Sequence, residues 1–192
     1  MAENKVKFGL QKCYYAPITF DEDNEIVYGT PVAFPGAVNL SLDAQGNEVE
    51  NFYADDIIYY AVPGGNGGYQ GDFEVARVID DFHKDILGEI VDDNGMLVED
   101  ATAQPKPFAL MCQFAGDKQN TRHVLYYCTC NRPAFGSQTK EATATPRTET
   151  LTITAIPASI SGGSYIKAKA GEDATNYENW YSAVQTPSIA SS

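Results

Sequence analysis

Basic side chains are scarce in this sequence. Lys and Arg number 13 against 26 Asp and Glu, giving a formal net charge of −13 and an isoelectric point near 4.4. Such an acidic surface repels phosphates and excludes a protein that grips nucleic acid. It does not exclude a protein that DNA passes without sticking. Long apolar runs are missing too. Stretches such as Ile57 to Val62 fall far short of the roughly 20 residues that span a bilayer. The opening MAENKVKFGL lacks the apolar core of about 7–15 residues that marks a signal peptide. The sequence therefore predicts a soluble protein made in a cytoplasm, with no membrane insertion.

Histidine is limited to His83 and His123, and the cysteines Cys13, Cys112, Cys128 and Cys130 contain no C-x-x-C. A zinc site needs four such ligands at suitable spacing. The sequence predicts reduced cysteines that behave as small hydrophobes, with no metal and no cofactor. Gly (16) and Pro (10) stay below the low-complexity range of about 25–30%. What is abundant is apolar and aromatic: 43% hydrophobic residues, with 12 Tyr and 9 Phe. That content excludes an intrinsically disordered chain, and 192 residues fit one domain with a sizeable core.

Two-residue alternation dominates the chain and predicts half-buried strands. Val38, Leu40 and Leu42 share one face, and Phe73 and Val75 alternate with Asp72 and Glu74. Phe108, Leu110, Cys112 and Phe114 line another strand. Val124, Tyr126, Cys128 and Cys130 line its return, so 108–115 and 122–131 read as a hairpin. Leu151, Ile153 and Ala155 alternate with Thr150, Thr152 and Thr154, and a last short strand runs from Tyr165 to Lys169. Loops are expected at 21–25, 43–50 and 132–147, and Asn94-Gly95 marks a tight turn. Asp80 is expected to cap a short helix to Leu87, with Gly88 as its stop. Tyr177, Trp180, Tyr181 and Val184 recur at i, i+3, i+4 and i+7, which predicts an amphipathic C-terminal helix over 173–186.

Catalytic constellations are absent. Gly64-Gly65-Asn66-Gly67-Gly68 lacks the G-K-[ST] of a phosphate loop, and neither G-x-S-x-G nor H-E-x-x-H occurs. Asp81, His83 and Asp85 are the best candidate metal set, but the i,i+2 offset turns His83 away from the carboxylates on a helix. A solvated helix face is the plainer reading. His123 has no nucleophile or paired acid near it in sequence. The sequence predicts no enzyme.

Several segments, in order, resemble the phi13-type major tail protein family, the tail tube proteins of long-tailed phages. They begin with Lys5-Val6-Lys7-Phe8-Gly9-Leu10, Tyr14-Tyr15-Ala16-Pro17-Ile18-Thr19, Gly29-Thr30-Pro31-Val32 and Phe52-Tyr53-Ala54-Asp55. They continue through Gly71-Asp72-Phe73-Glu74-Val75-Ala76, Lys106-Pro107-Phe108-Ala109-Leu110 and Thr121-Arg122-His123-Val124-Leu125-Tyr126. Thr148-Glu149-Thr150-Leu151-Thr152-Ile153 and Asn179-Trp180 close the set. The resemblance implies a mainly β, tail-tube-type β-sandwich or half-barrel over 1–192, with a long hairpin loop and one or two short flanking α-helices. It implies a homo-oligomer of hexameric rings stacked into a tube inside the virion tail, assembled in a bacterial host. The implied partners are tape-measure, tail-terminator and tail-tip proteins, and viral DNA passes through the lumen unbound.

On that reading the run 43–72 is an extended hairpin that reaches the next ring. Gly64, Gly65, Asn66, Gly67, Gly68 and Tyr69 are expected at its tip, with Ile57, Ile58, Tyr59 and Tyr60 on the adjoining stem, all as inter-subunit contacts. Two rivals remain. One is a monomeric β-sandwich that binds a carbohydrate or receptor on Tyr59, Tyr60 and Tyr69. The other is a metal-dependent hydrolase built on Asp81, His83 and Asp85.

Overall fold

The computed structural model describes residues 9–46, 50–54, 57–62, 65–114, 120–137 and 147–188, with backbone alone at 50–54 and 58–62. Its first half contains β1 (Leu10–Phe20), β2 (Ile26–Tyr28), β3 (Val32–Ala33), β4 (Ala37–Gly46), β5 (Glu50–Ala54), β6 (Ile57–Val62) and β7 (Asn66–Val75). Helix α1 (Asp80–Asp85), β8 (Ile90–Val91) and β9 (Leu97–Val98) follow. The second half contains β10 (Phe108–Phe114), β11 (Arg122–Cys130), β12 (Glu149–Ala155), β13 (Ala158–Ile160), β14 (Gly163–Tyr165) and β15 (Lys167–Ala170).

Nine strands form one antiparallel sheet in the order β2-β1-β10-β11-β12-β7-β4, with β3 also on β1 and β15 also on β11. The sheet forks at β11. Arg122–Leu125 pair with β15, and Cys128–Cys130 pair with β12. The same happens at β1, where Tyr14 and Tyr15 pair with β3 and Ile18 to Phe20 with β2. The fold is mainly β, its sheets are not closed into a barrel, and it fits a β-sandwich.

Forking lets the central strands bury both faces. Successive residues of a strand point to opposite sides. Phe108, Leu110 and Cys112 therefore enter one core with Tyr15, Phe34, Phe73, Phe82, Leu151 and Ile153. Ala109 and Met111 enter the other with Ala16, Val124, Tyr126 and Trp180. Phe82 sits at the centre of the first core, edge-on to Tyr15, Phe34 and Phe108 at 5.0, 5.1 and 5.3 Å between ring centroids. Full burial of one such ring is worth about 1.5–3 kcal/mol, with about 0.5–1.5 kcal/mol more for each edge contact.

Three one-residue bulges redirect side chains that simple alternation misplaces. The first lies between Gln11 and Tyr14, with Lys12 at a φ of 50°. The second adds a residue to β11 opposite the Phe108–Leu110 step. Val124 and Tyr126 consequently face the second core while Cys128 and Cys130 face the first, so the four do not share a face as the alternation predicts. The third lies between Ala37 and Asn39. It leaves Val38 52% exposed and lets Ala37 take the inward place beside Leu40 and Leu42.

Helix α1 starts one residue earlier than expected. Ile79 holds the N-cap position without a side-chain bond, and Asp80 and Asp81 lie in the first turn, where carboxylates meet the positive end of the helix dipole. The helix ends at Asp85 rather than Leu87.

The predicted C-terminal helix is absent. Successive turns over 171–182 are closed by bonds from Ala174 N to Gly171 O, Tyr177 N to Ala174 O, Trp180 N to Tyr177 O and Ser182 N to Asn179 O. Asp173, Thr175, Asn176 and Asn179 favour turns over helix. The buried Arg122 guanidinium donates to the Tyr177 carbonyl and lies 3.7 Å over the Tyr177 ring. The three-residue step still buries Tyr177 and Trp180, so the aromatic face is real although the helix is not. The expected loop at 43–50 is also partly strand, since β4 runs to Gly46.

Candidate assembly surfaces

The strongest local feature is a long hairpin made of two ladders in series. Strands β4 and β7 pair from Ala37↔Val75 to Gly46↔Asn66. Strands β5 and β6 then pair from Glu50↔Val62 to Ala54↔Ile57. The second ladder ends at the Ala54↔Ile57 pair, while Asn66, Gly68 and Tyr69 pair with β4 in the first ladder. Gly64 lies outside the described residues, as do the side chains of Ile58, Tyr59 and Tyr60. Gly65 and Ile57 are exposed. Asn66, Gly67, Gly68 and Tyr69 open strand β7.

The glycines serve close approach. Gly68 has a φ of 119°, and a Cβ there would run into the Ala155 carbonyl of neighbouring β12. A Cβ on Gly67 would come 3.1 Å from the Gln45 carbonyl. A glycine-rich run reads as a flexible loop in sequence, yet here it lets the first ladder continue where side chains would prise it apart.

The solvent face of β4, β7 and β12 is polar in every row. Asn39, Glu74 and Thr150 align across the strands, as do Ser41, Asp72 and Thr152, and Asp43, Gln70 and Thr154. The Thr152 hydroxyl donates to Asp72 Oδ1 at 3.0 Å. The three strands carry no Lys or Arg, so this face combines acidic, hydroxyl and amide side chains with no positive charge. At the ends of the sheet, β4 on one side and β2 with β3 on the other are edge strands. Exposed Val38 lies on the first edge strand and exposed Val27 on the second.

The candidate chemical sites dissolve on inspection of their partners. Asp81 accepts from Lys84 Nζ at 2.6 Å, His83 Nδ1 lies 2.7 Å from Glu89 Oε1, and the Tyr15 hydroxyl donates to Asp85 at 2.8 Å. Asp81, His83 and Asp85 thus serve three separate contacts, and no metal-holding group of three or more His, Cys, Asp or Glu occurs among the described residues. His123 packs tilted against Phe114 at 4.8 Å. The Tyr69 ring lies under Lys167 Nζ at 4.2 Å, so it is not part of an open stacking platform. All four cysteines are free and buried. Burial pushes the thiols of Cys13 and Cys130 up to about 12 and raises those of Cys112 and Cys128 as well.

A model of the phage tail tube protein family matches residues 2–186. The chain belongs to the phage tail tube protein family. No curated protein matches it. As a tail tube protein it is a structural component of the virion tail that self-assembles into a tube with other tail components. Membership points away from an enzyme. Among the described residues, no helix is long and apolar enough to cross a membrane.

Proposed function

We propose that this tail tube protein forms hexameric rings that stack into the DNA conduit of a long, non-contractile tail of the phi13 type. The observation that carries the reading is the open nine-stranded sheet, with edge strands at β4 and at β2 and β3. Edge strands with unpaired backbone groups are a liability in a monomer. They are resolved when the two different edges of successive copies meet head to tail around a closed ring. The polar face of β4, β7 and β12, acidic and without a positive charge, supports a lumen role, because phosphates are repelled and the genome slides. The β5–β6 hairpin extends beyond the sheet and supports a contact with the next ring, with Ile57 at its end. The tape-measure protein would fill the tube during assembly, and terminator and tail-tip proteins would close its ends.

Negative-stain microscopy of the purified protein tests the reading, with rings or tubes as the expected result. A monomer at high concentration, with no rings under any assembly condition, refutes it. Replacing residues 50–62 by a short Gly-Ser turn leaves the β4–β7 ladder intact. It should give folded subunits that do not stack. Tubes of normal length from that variant would remove the hairpin from the ring-to-ring contact.

A further inference from the structure

The nine residues Ile90 to Val98 form a small prong that the assembly reading has not used. Only two pairs, Ile90↔Val98 and Val91↔Leu97, hold its strands. Its turn is rigid. Asp92 Oδ1 accepts from Asn94 N at 2.9 Å and Met96 N at 2.7 Å, and the Gly95 amide donates to Asp92 O at 3.0 Å. Yet Ile90, Val91, Met96 and Val98 are 58, 54, 58 and 38% exposed. An isolated two-stranded hairpin is marginal in water, and a clustered apolar surface of this kind marks an interaction site. The flanks are acidic: Glu89 to Asp100 contains five Asp and Glu and no Lys or Arg.

A surface of opposite character lies elsewhere on the same chain. A cavity of about 250 Å³ opens between β4 and β7 on one side and β10, β11 and β15 on the other. Leu40, Leu42, Tyr69, Cys112 and Phe114 form its apolar wall, and Lys167 stands at the rim. Lys169 follows two residues on, on the same face of β15. Neither lysine forms an ion pair with a carboxylate among the described residues. In a chain with twice as many acids as bases, two adjacent lysines without a carboxylate partner among the described residues, one of them over the Tyr69 ring, are unusual beside an apolar hollow. The volume is below the roughly 300–1,000 Å³ of small-molecule sites and suits one or two apolar side chains.

We infer that the Ile90–Val98 prong of one copy seats in the Leu40–Leu42–Lys167 groove of a second copy, with Met96 as the inserted side chain. Among the described residues the prong is exposed and Leu40, Leu42 and Tyr69 of the groove are only partly buried, so the chain's own prong does not fill its own groove. Asp93, which makes no hydrogen bond among the described residues, meets Lys167 and Lys169. Because the two surfaces differ, the contact is heterologous and propagates from copy to copy. The inference rests on self-assembly of the chain.

Paired cysteines test it. A Met96→Cys, Leu42→Cys double variant, assembled and then mildly oxidised, should give a reducible ladder of cross-linked chains, while each single variant alone should not. All three variants carry Cys112→Ala, because Cys112 lines the groove; the other three native thiols are buried. Tubes that form without the ladder, or a cross-link from Met96→Cys alone, overturn the prong contact and leave the tube reading standing. Wild-type protein that never assembles overturns both. Independently, Lys167→Glu with Lys169→Glu should slow assembly at least tenfold in subunits whose circular dichroism is unchanged, and Asp93→Lys should restore part of the rate. Wild-type rates from the double glutamate variant would also overturn it.

Discussion

Trp180 anchors the C-terminal turns to the second core, and its replacement measures that anchorage. The side chain is 2% exposed among Ala16, Ala109, Met111, Val124 and Tyr126. Trp→Ala at such a site costs about 3–5 kcal/mol from lost burial plus the cavity left behind. Area gives a similar ceiling, since a Trp buries up to about 250 Å² at about 25 cal/mol/Å². One term works the other way. The indole Nε1 is buried without a hydrogen-bond partner among the described residues, and a buried unpaired donor costs about 1–3 kcal/mol. Removing it returns part of the loss, which places Trp180→Ala near 3 kcal/mol. Trp180→Phe also removes the idle N–H but keeps most of the packing, so its cost should stay within about 1.5 kcal/mol. For a chain of this size, 1 kcal/mol moves the thermal midpoint by about 2–4 °C. The expected shifts are therefore about 6–12 °C for Ala and at most about 6 °C for Phe. Trp180 is the only tryptophan, so its fluorescence follows the transition directly in the wild type, and circular dichroism follows it in the variants. A Trp180→Ala midpoint within about 2 °C of wild type would show that the turns are not docked. A Phe variant as damaged as the Ala variant would refute the unpaired donor.

Gly68→Ala should destabilise the β7–β12 ladder by more than about 3 kcal/mol, because strain at positive φ adds to the collision with the Ala155 carbonyl. Gly95→Ala shares a positive φ but points its Cβ into open space, so about 1 kcal/mol is expected; equal midpoints in chemical denaturation for the two variants would refute the steric distinction. A thiol reagent at pH 8 should label fewer than one cysteine per native chain and all four after denaturation; rapid stoichiometric labelling of the native protein would contradict their burial. The thiols of Cys13 and Cys130 are raised in the folded state to about 12, so the unfolded chain loses these protons first. Their contribution is complete below about pH 8.5 and is lost as pH rises toward about 12. A folding stability that stays flat from pH 8 to pH 11 would refute it.

The strands were legible in the sequence because half-burial prints a two-residue rhythm, as in Leu151, Ile153 and Ala155 against Thr150, Thr152 and Thr154. Bulges leave no such print. On β11 both faces are apolar, so one extra residue between Leu125 and Cys128 changes which core each side chain enters without changing the pattern. Val38 looks like a core residue for the same reason. At 173–186 the apolar spacing of three and four residues fits a helix and a chain of three-residue turns equally. The decision lies with Asp173, Thr175 and Asn176 and with a guanidinium that arrives from Arg122, 55 positions earlier. The glycines at 65–68 are ambiguous by composition, because glycine marks both free loops and tight approach. The prong was visible only as an Asn-Gly turn. Its exposure follows from what does not pack on it, and no local signal encodes that.

Charge supplies the last test, because it sets subunit repulsion against the proposed contact. Every copy carries −13, and bringing like-charged copies together costs more when fields reach far. Raising ionic strength from about 0.01 to about 0.15 M shortens the screening length from about 30 to about 8 Å. General repulsion acts across whole subunits and is screened strongly, whereas Asp93 and the two lysines would meet at contact distance, where screening matters less. The apolar part of the contact, centred on Met96, does not weaken with salt. Wild-type assembly should therefore accelerate with salt over this range, followed by light scattering. The Lys167→Glu, Lys169→Glu variant adds negative charge at the groove itself and should show a steeper salt dependence that never reaches the wild-type rate. Wild-type assembly that slows as salt rises would mean that pairing between opposite charges, and not apolar contact, holds the copies together. That would displace Met96 from the centre of the interface.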